Sequence, residues 1–157
     1  VNFVWLPAPT MPTLLFDPES MHRAILNIIT NAIDACHDHE AARVEVSTQY
    51  SNDERMARVQ VIDNGSGIEK DDLEKIFAVF VSRKGGRGTG LGLPVSQKIL
   101  EEHGGRIRVE SKVGEGSRFT IEFPATMPQT STGDKLPPSR LSTNVEADAI
   151  PADSSHG

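Results

Sequence analysis

The segment MHRAILNIITNAIDAC, residues 21–36, is the most informative part of the sequence about the fold. Its apolar side chains recur at the spacing of an α-helix and share one face, which must lie on a sheet; they are Met21, Ile25, Ile28, Ile29, Ala32, Ile33 and Cys36. Asn27, Asn31 and Asp34 share the opposite face. Asparagine is a weak helix former, because its amide competes for backbone hydrogen bonds. Two asparagines one turn apart therefore indicate either an ordinary solvated surface or amide oxygens that bind Mg²⁺.

The flanking sequence predicts a layer of strands beside this helix. Asp17 is a suitable N-cap and Pro18 a suitable first residue, so the helix is expected to run from there to about His37. Two hairpins are predicted from β-rich runs on either side of polar turns, at residues 44–50 with 57–62 and at residues 106–111 with 117–123. A second long helix is expected over residues 91–103 and a short one over residues 71–77. Trp5 is assigned to an N-terminal strand or to a linking segment. We therefore expect an α/β fold, a two-layer sandwich with a mixed sheet packed on a layer of helices.

Length and charge narrow the class of protein. A chain of 157 residues is long enough for one domain with a full core. The 16 Lys and Arg against 22 Asp and Glu give a net charge of -6, which argues against a nucleic-acid-binding surface. The single cysteine, Cys36, excludes an intramolecular disulfide and favours a reduced, intracellular setting. No apolar run approaches the ~18 residues of a membrane helix, so no membrane contact by this domain is expected.

The composition changes near Pro124. Residues 1–124 are patterned as one folded domain, whereas residues 125–157 are rich in Pro, Ser, Thr and acidic residues and are predicted to form a disordered tail.

A strand-like run, Val59-Gln60-Val61-Ile62, ends in Asp63-Asn64-Gly65-Ser66-Gly67-Ile68. An Asp-Asn-Gly turn is commonly a structural loop. Alternatively, a carboxylate at the base of a pocket can accept a hydrogen bond from the exocyclic amine of adenine, and neighbouring glycines let a flat base approach the backbone. That arrangement would select adenine over guanine, which has a carbonyl at the corresponding position.

A glycine-rich stretch, Lys84-Gly85-Gly86-Arg87-Gly88-Thr89-Gly90-Leu91-Gly92-Leu93, runs directly into the second long helix. Exposed backbone amides at a helix N-terminus bind phosphate, and glycines let the phosphate reach them. The stretch lacks the Walker pattern, and Asp63 precedes it, unlike the acidic residue of a dinucleotide fingerprint. Taken alone, this motif is a weak indication of phosphate binding.

The three segments in this order resemble the nucleotide-binding domain of sensor histidine kinases, within the wider group that includes DNA gyrase and mismatch-repair ATPases. The resemblance covers about residues 17–124 and rests on four ordered motifs. The N box is matched by residues 27–32, the first glycine box by Asp63, Gly65 and Gly67, the phenylalanine box by residues 77–84, and the second glycine box by residues 88–93. It implies the ATP-binding fold of the Bergerat type.

The resemblance also implies roles for individual residues. Asn31 would ligate Mg²⁺, Asn27 would support the metal and the phosphates, Asp63 would read adenine, and Lys84 would touch the terminal phosphate. Residues 69–87 would form a mobile lid over ATP, although its phenylalanines also suit ordinary packing. The catalytic residues would be Asn27, Asn31 and Lys84. The full set implied to bind ATP is Asn27, Asn31, Asp34, Asp63, Gly65, Gly67, Ile68, Phe80, Lys84, Arg87, Gly88, Thr89, Gly90, Leu91, Gly92 and Ser117, the last as a hydroxyl that supports Asp63.

The residue type at position 27 distinguishes ATP hydrolysis from phosphoryl transfer to another acceptor within this group. The related hydrolytic ATPases carry a glutamate at this position as general base for water, and the neutral amide of Asn27 cannot accept that proton. The sequence therefore favours transfer of the phosphoryl group to another acceptor. The resemblance implies autophosphorylation of a histidine; a serine kinase of the anti-sigma type, or an inactive nucleotide-gated interaction module, are the alternatives.

The acceptor histidine is not evident in this chain. None of its five histidines lies in a pattern such as H-E-x-x-x-P. The resemblance therefore implies a separate phosphoacceptor domain of the same, dimeric protein as one partner and a response regulator receiver domain as another. The expected location is cytoplasmic, within a parent protein that is either membrane-anchored or free.

Overall fold

The computed structural model describes residues 1–78 and 91–126. In this part of the chain, five strands form one sheet and three helices accompany it. The strands are β1 (Asn2–Leu6), β2 (Arg43–Ser51), β3 (Met56–Asp63), β4 (Arg106–Lys112) and β5 (Gly116–Pro124). The helices are α1 (Pro18–Ala35), α2 (Lys70–Leu73) and α3 (Gly92–Glu102).

The sheet has the order β1-β2-β3-β5-β4. β1 is parallel to β2, and the other neighbouring pairs are antiparallel, so the sheet is mixed. Both predicted hairpins are present, and Trp5 lies in the N-terminal strand. α1 and α3 pack on each other and on one face of the sheet. The predicted two-layer α/β sandwich is confirmed. In the described ranges, 1–78 and 91–126, no helix has both the length and the apolarity to cross a bilayer.

α1 begins where the sequence predicts. The Asp17 carboxylate accepts a hydrogen bond from the Glu19 amide at 3.1 Å, and Pro18 occupies the first turn, where its missing N–H costs little. The helix ends at Ala35, two residues before the predicted end. At the other side of this layer, the His103 ring bonds both the Ile99 carbonyl and the Asp17 amide, which joins the end of α3 to the start of α1.

The predicted division of α1 into two opposite faces is wrong in detail. Ile33 was expected in the core, yet it is 39% exposed. Asn27 and Asn31 were expected opposite the core, yet both are half-buried. The reason is that α1 packs on α3 as well as on the sheet, which turns the buried arc towards α3 and away from Ile33. The buried residues of α1 are Met21, Ala24, Ile28 and Ala32.

Strand β3 carries Asp63 into the interior. Alternate residues of this strand, Ala57, Val59 and Val61, are buried on the side that the helices cover, and Asp63 has the same phase. Its partner in β5 is Ser117, and its partner in β2 is the buried Val44. The two-residue period of the strand therefore places a carboxylate at the edge of the apolar core.

The loop after Asp63 is tightly enclosed. A Cβ atom at Gly65 would collide with the carbonyl group of Ala35, at the end of α1. Gly67 has a φ of 69°, and a Cβ there would collide with the backbone of Lys112. The loop is thus held between the end of α1 and the end of β4, and two glycines are required for this approach.

Substitution of Gly65 by alanine is expected to destabilise the fold, because the new methyl group meets rigid backbone. We expect the free energy of unfolding in urea to fall by at least about 2 kcal/mol. Gly92→Ala is the matched control: its Cβ would lie 3.7 Å from the Asn27 side chain, an ordinary contact, and alanine is the better helix former. Equal stability of the two variants would show that the Gly65 loop is not closely packed.

Candidate nucleotide-binding site

Asp63 is the most unusual polar group in the described interior. The residue is 4% exposed. The Gly65 amide donates to its Oδ1 atom at 2.9 Å. Its Oδ2 atom is buried and has no hydrogen-bond partner among the described residues. Buried polar atoms are nearly always paired, because leaving one unpaired is costly. The arrangement therefore leaves open an acceptor for a donor that the described residues do not supply.

Burial also sets the charge of this group. It raises the pKa of the Asp63 carboxyl above the ordinary value, and the backbone N–H groups of Gly65 and Ser117 partly oppose that shift. These two amides favour the ionised form, and Oδ2 is without a hydrogen-bond partner among the described residues. The result is a carboxylate with its position fixed by backbone and one oxygen left open.

The loop that follows Asp63 is fastened to the β4–β5 hairpin. The Gly114 amide donates to the Ser66 carbonyl at 2.9 Å, and the Ile68 amide donates to the Ser111 hydroxyl at 2.8 Å. Ser117 lies opposite Asp63 in the sheet and is buried. Its backbone amide supports the Asp63 carboxylate, and its hydroxyl lies 3.0 Å from that of Ser111.

A second group of polar atoms joins α1 to the start of α3. The amide nitrogen of Asn27 donates to the Gly92 carbonyl at 3.2 Å and to the Ser96 hydroxyl at 3.3 Å. Ser96 is fully buried, and its hydroxyl is 3.0 Å from the carbonyls of both Ala24 and Gly92. The Asn27 side chain therefore contacts the start of α3 through its amide nitrogen.

The start of α3 suits an anion. Leu91 stands at the N-cap and makes no side-chain capping bond, so no such bond occupies the amides of the first turn. These amides and the positive end of the helix favour a negatively charged group. Gly92, the first helical residue, brings this end within contact distance of Asn27.

The predicted site residues fall into four groups. Asp63, Gly65, Gly67, Ile68 and Ser117 lie together at the end of β3, and Asn27 lies with Gly92 at the α1–α3 contact. Asn31 is half-buried one turn further along α1, while Asp34 and Leu91 are exposed. Phe80, Lys84, Arg87, Gly88, Thr89 and Gly90 lie outside the described residues, as do residues 79–87 of the predicted lid.

Two serines of this region were not identified from the sequence. Ser111 follows Ile107 and Val109 on the face of β4 that looks towards the helices, and Ser96 lies among the buried residues of α3. The sequence offered one indication of their role: each serine lies on the same face of its strand or helix as apolar residues. It is a weak signal, because serine is common at such positions and its partners are distant in sequence.

Comparisons with known proteins show which family the chain belongs to. The family described as "Histidine kinase-, DNA gyrase B-, and HSP90-like ATPase" matches residues 16–127. The sensor histidine kinase ZraS of Escherichia coli O157:H7 is 38% identical over 118 residues, which cover 75% of this chain and 25% of that protein. The sensory histidine kinase/phosphatase NtrB of Vibrio alginolyticus is 35% identical over 124 residues, covering 74% and 35%. The chain thus spans a quarter to about a third of the length of these relatives.

Solved structures show the same architecture. The catalytic domain of histidine kinase ThkA superposes with a TM-score of 0.69 at 30% identity, covering 80% of this chain and 79% of that one. Full-length ShkA in complex with AMPPNP gives a TM-score of 0.71 at 28% identity, covering 81% and 26%. With the match over residues 16–127, the chain belongs to the family of histidine kinase-, DNA gyrase B- and HSP90-like ATPases.

Proposed function

We propose that this chain is the catalytic domain of a two-component sensor histidine kinase, which binds Mg-ATP and transfers its γ-phosphoryl group to a histidine on a separate domain. The observation that carries the proposal is the buried Asp63 Oδ2 atom without a partner, in a domain of this ATPase family. Its relatives ZraS and NtrB are named as sensor histidine kinases.

Adenine is the base that this acceptor suits. An ionised carboxylate can only accept hydrogen bonds, and the exocyclic amine of adenine can only donate at that position. Guanine would place a carbonyl oxygen against the carboxylate, leaving two acceptors facing each other in a buried site. Because such a mismatch leaves buried polar groups unpaired, it discriminates strongly.

The phosphates and the metal are assigned to the α1–α3 side of the site. We assign Asn31 as the Mg²⁺ ligand, since Mg²⁺ prefers oxygen donors and is usually held by few protein groups together with phosphates. Asn27 joins α1 to the start of α3 one helical turn before Asn31. Lys84, Arg87 and the glycines at 88 and 90 are proposed to contact phosphate on sequence grounds alone. The bound cation would neutralise charge on the transferred group.

Asn27 favours phosphoryl transfer over hydrolysis. Its amide nitrogen bonds to α3, and an amide oxygen has no appreciable affinity for a proton at neutral pH. No general base for water stands at this position. Phosphoryl transfer requires mainly positioning, to which the two asparagines can contribute, and charge neutralisation, which the bound cation would supply.

The remaining assignments concern the parent protein. We propose a phosphoacceptor domain in the same protein and a response regulator receiver domain as partners, with the kinase domain in the cytoplasm. The domain is taken to end near Pro124, where β5 ends, although Ala125 and Thr126 still bond to Arg55 and Leu15. Residues 127–157 are assigned to a tail on sequence composition alone.

Phosphotransfer is tested directly by incubating the chain with its parent protein's purified phosphoacceptor domain and γ-labelled ATP. Acid-labile label on a histidine is expected, because Asn27 cannot activate water. Acid-stable label on serine would instead support a kinase of the anti-sigma type. The absence of label from a chain that binds ATP would support a nucleotide-gated interaction module, and either of these two results would refute the proposed function.

Asp63→Asn is expected to weaken Mg-ATP binding by at least about tenfold, because the amide replaces an acceptor with a donor that faces the adenine amine. The free energy of unfolding near neutral pH should change by less than about 1 kcal/mol, since a buried charge is removed at the same time. Isothermal titration calorimetry and urea unfolding measure the two quantities. Asp53→Asn, in the exposed turn at the other end of β3, is the control. Unchanged ATP affinity in Asp63→Asn would remove the adenine assignment.

The pH dependence of binding and of stability should have opposite signs. ATP requires the ionised carboxylate, so affinity should fall as pH decreases through the raised pKa of Asp63, above the ordinary value of 3.8. The folded state holds the Asp63 proton more tightly than the unfolded state. Its contribution to stability is therefore full below the unfolded pKa and is lost as pH rises through the folded pKa. Both trends should be absent in Asp63→Asn; their persistence in that variant would assign them to another group.

A further inference from the structure

Three hydrogen bonds converge on the Ser111 hydroxyl, beside the Asp63 pocket. The Ser111 oxygen lies 2.9 Å from the Gly116 carbonyl and 3.0 Å from the Ser117 hydroxyl, and the Ile68 amide donates to it at 2.8 Å. Ser111 therefore connects β4 with the start of β5 and with the loop after Asp63. No role for it is implied by the four sequence motifs.

Hydrogen counting fixes the direction of each bond. The Gly116 carbonyl can only accept, so it receives the one hydrogen of the Ser111 hydroxyl. The Ile68 amide can only donate, so it occupies one lone pair of the Ser111 oxygen. The contact with Ser117 is then a hydrogen bond only if Ser117 is the donor. The single hydroxyl hydrogen of Ser117 is thereby committed to Ser111, and its oxygen presents lone pairs alone.

The hydrogen bond from Ser117 to Ser111 bears on the proposed base-binding site because Ser117 lies beside Asp63. Ser117 is the register partner of Asp63, both side chains lie on the helix-covered side of the sheet, and its backbone amide supports the Asp63 carboxylate. No hydrogen bond joins the two side chains with Ser117 held by Ser111, but a Ser117 side chain released from Ser111 and turned about its Cα–Cβ bond could donate to the buried Oδ2 atom of its register partner Asp63. That bond would occupy the acceptor that the site otherwise keeps open.

We propose that Ser111 is a positioning residue for the nucleobase: by holding the hydroxyl hydrogen of Ser117, it keeps Asp63 and Ser117 as two adjacent acceptors for the amino edge of adenine. This inference rests on the proposed function, since it concerns the same adenine site. Ser111 acts through Ser117 and does not itself touch the base. It contributes to the preference for adenine over guanine by excluding a donor from the pocket.

The test uses Ser111→Ala in the full chain, titrated with Mg-ATP and with Mg-GTP. We expect ATP affinity to fall by about tenfold and the ratio of ATP to GTP affinity to decrease, because a freed Ser117 hydroxyl can donate to Asp63 or to a guanine carbonyl. The loss of ATP binding on acidification should move to lower pH, since a donated hydrogen bond stabilises the ionised carboxylate. Ser111→Thr, which keeps the hydroxyl, should restore all three quantities.

Ser51→Ala is the matched control. Ser51 is half-buried at a strand end and its hydroxyl accepts a backbone N–H, that of Glu54 at 3.3 Å, but it lies at the far end of the sheet. The ATP affinity, nucleotide preference and pH profile of Ser51→Ala should equal those of the wild type. In a Ser117→Ala background, Ser111→Ala should cause no further change in nucleotide preference, because the group through which it acts has been removed.

The outcomes separate the possibilities. Ser111→Ala with the nucleotide preference and pH profile of the wild type overturns the proposal, including the case where ATP affinity alone falls through a general loss of structure. If Ser111→Ala does not fold, Ser111→Cys, which keeps the side-chain shape with a slightly larger and weakly hydrogen-bonding thiol, is titrated in the same way and judged by the same two readouts. A wild-type chain that binds no ATP would instead refute the proposed function.

Discussion

The carboxylate of Asp63 is enclosed by the protein interior, and the neighbouring strands and the loop that follows it hold it there. Burying the charge of Asp63 is costly unless it is hydrogen-bonded, and two backbone amides, from Gly65 and Ser117, supply only part of what the group can accept. The open Oδ2 atom is therefore a cost that the folded domain bears without nucleotide. A donor from a bound base would remove that cost, which couples ligand binding to stability.

The surrounding elements hold this group in place without filling the position that it faces. The alternation of β3 directs Asp63 inwards, and the close approach of Gly65 and Gly67 to α1 and β4 fixes the following loop. On the other side, Asn27 and Ser96 tie the start of α3 to α1. The site thus has a sheet side, which we assign to the base, and a helix side, which we assign to the phosphates and the metal.

The fold and the principal acceptor could be predicted because both follow from short-range patterns. The helical period of residues 21–36, the β-rich runs around polar turns and the phase of Asp63 in its strand are all local. The burial of Ile33 was mispredicted because a helix wheel shows which residues share a face but not from which side another helix, here α3, packs on it. Ser96 and Ser111 were missed for the same reason: their partners, Ala24 and Ile68, are distant in the chain. Four motifs in order identified the family, but the orientation of the Asn27 amide and the hydroxyl hydrogen of Ser117 required the tertiary structure.

The proposed recognition of ATP depends most on one hydrogen bond, between the Asp63 carboxylate and the exocyclic amine of adenine. The most direct measurement compares binding of ATP and of purine riboside triphosphate, which lacks that amine, to the wild type and to Asp63→Asn. We expect the wild type to bind the purine analogue at least about tenfold more weakly than ATP, and Asp63→Asn to show no preference for ATP over the analogue. Equal affinity of the wild type for the two nucleotides, or an undiminished preference for ATP in Asp63→Asn, would contradict the proposed recognition.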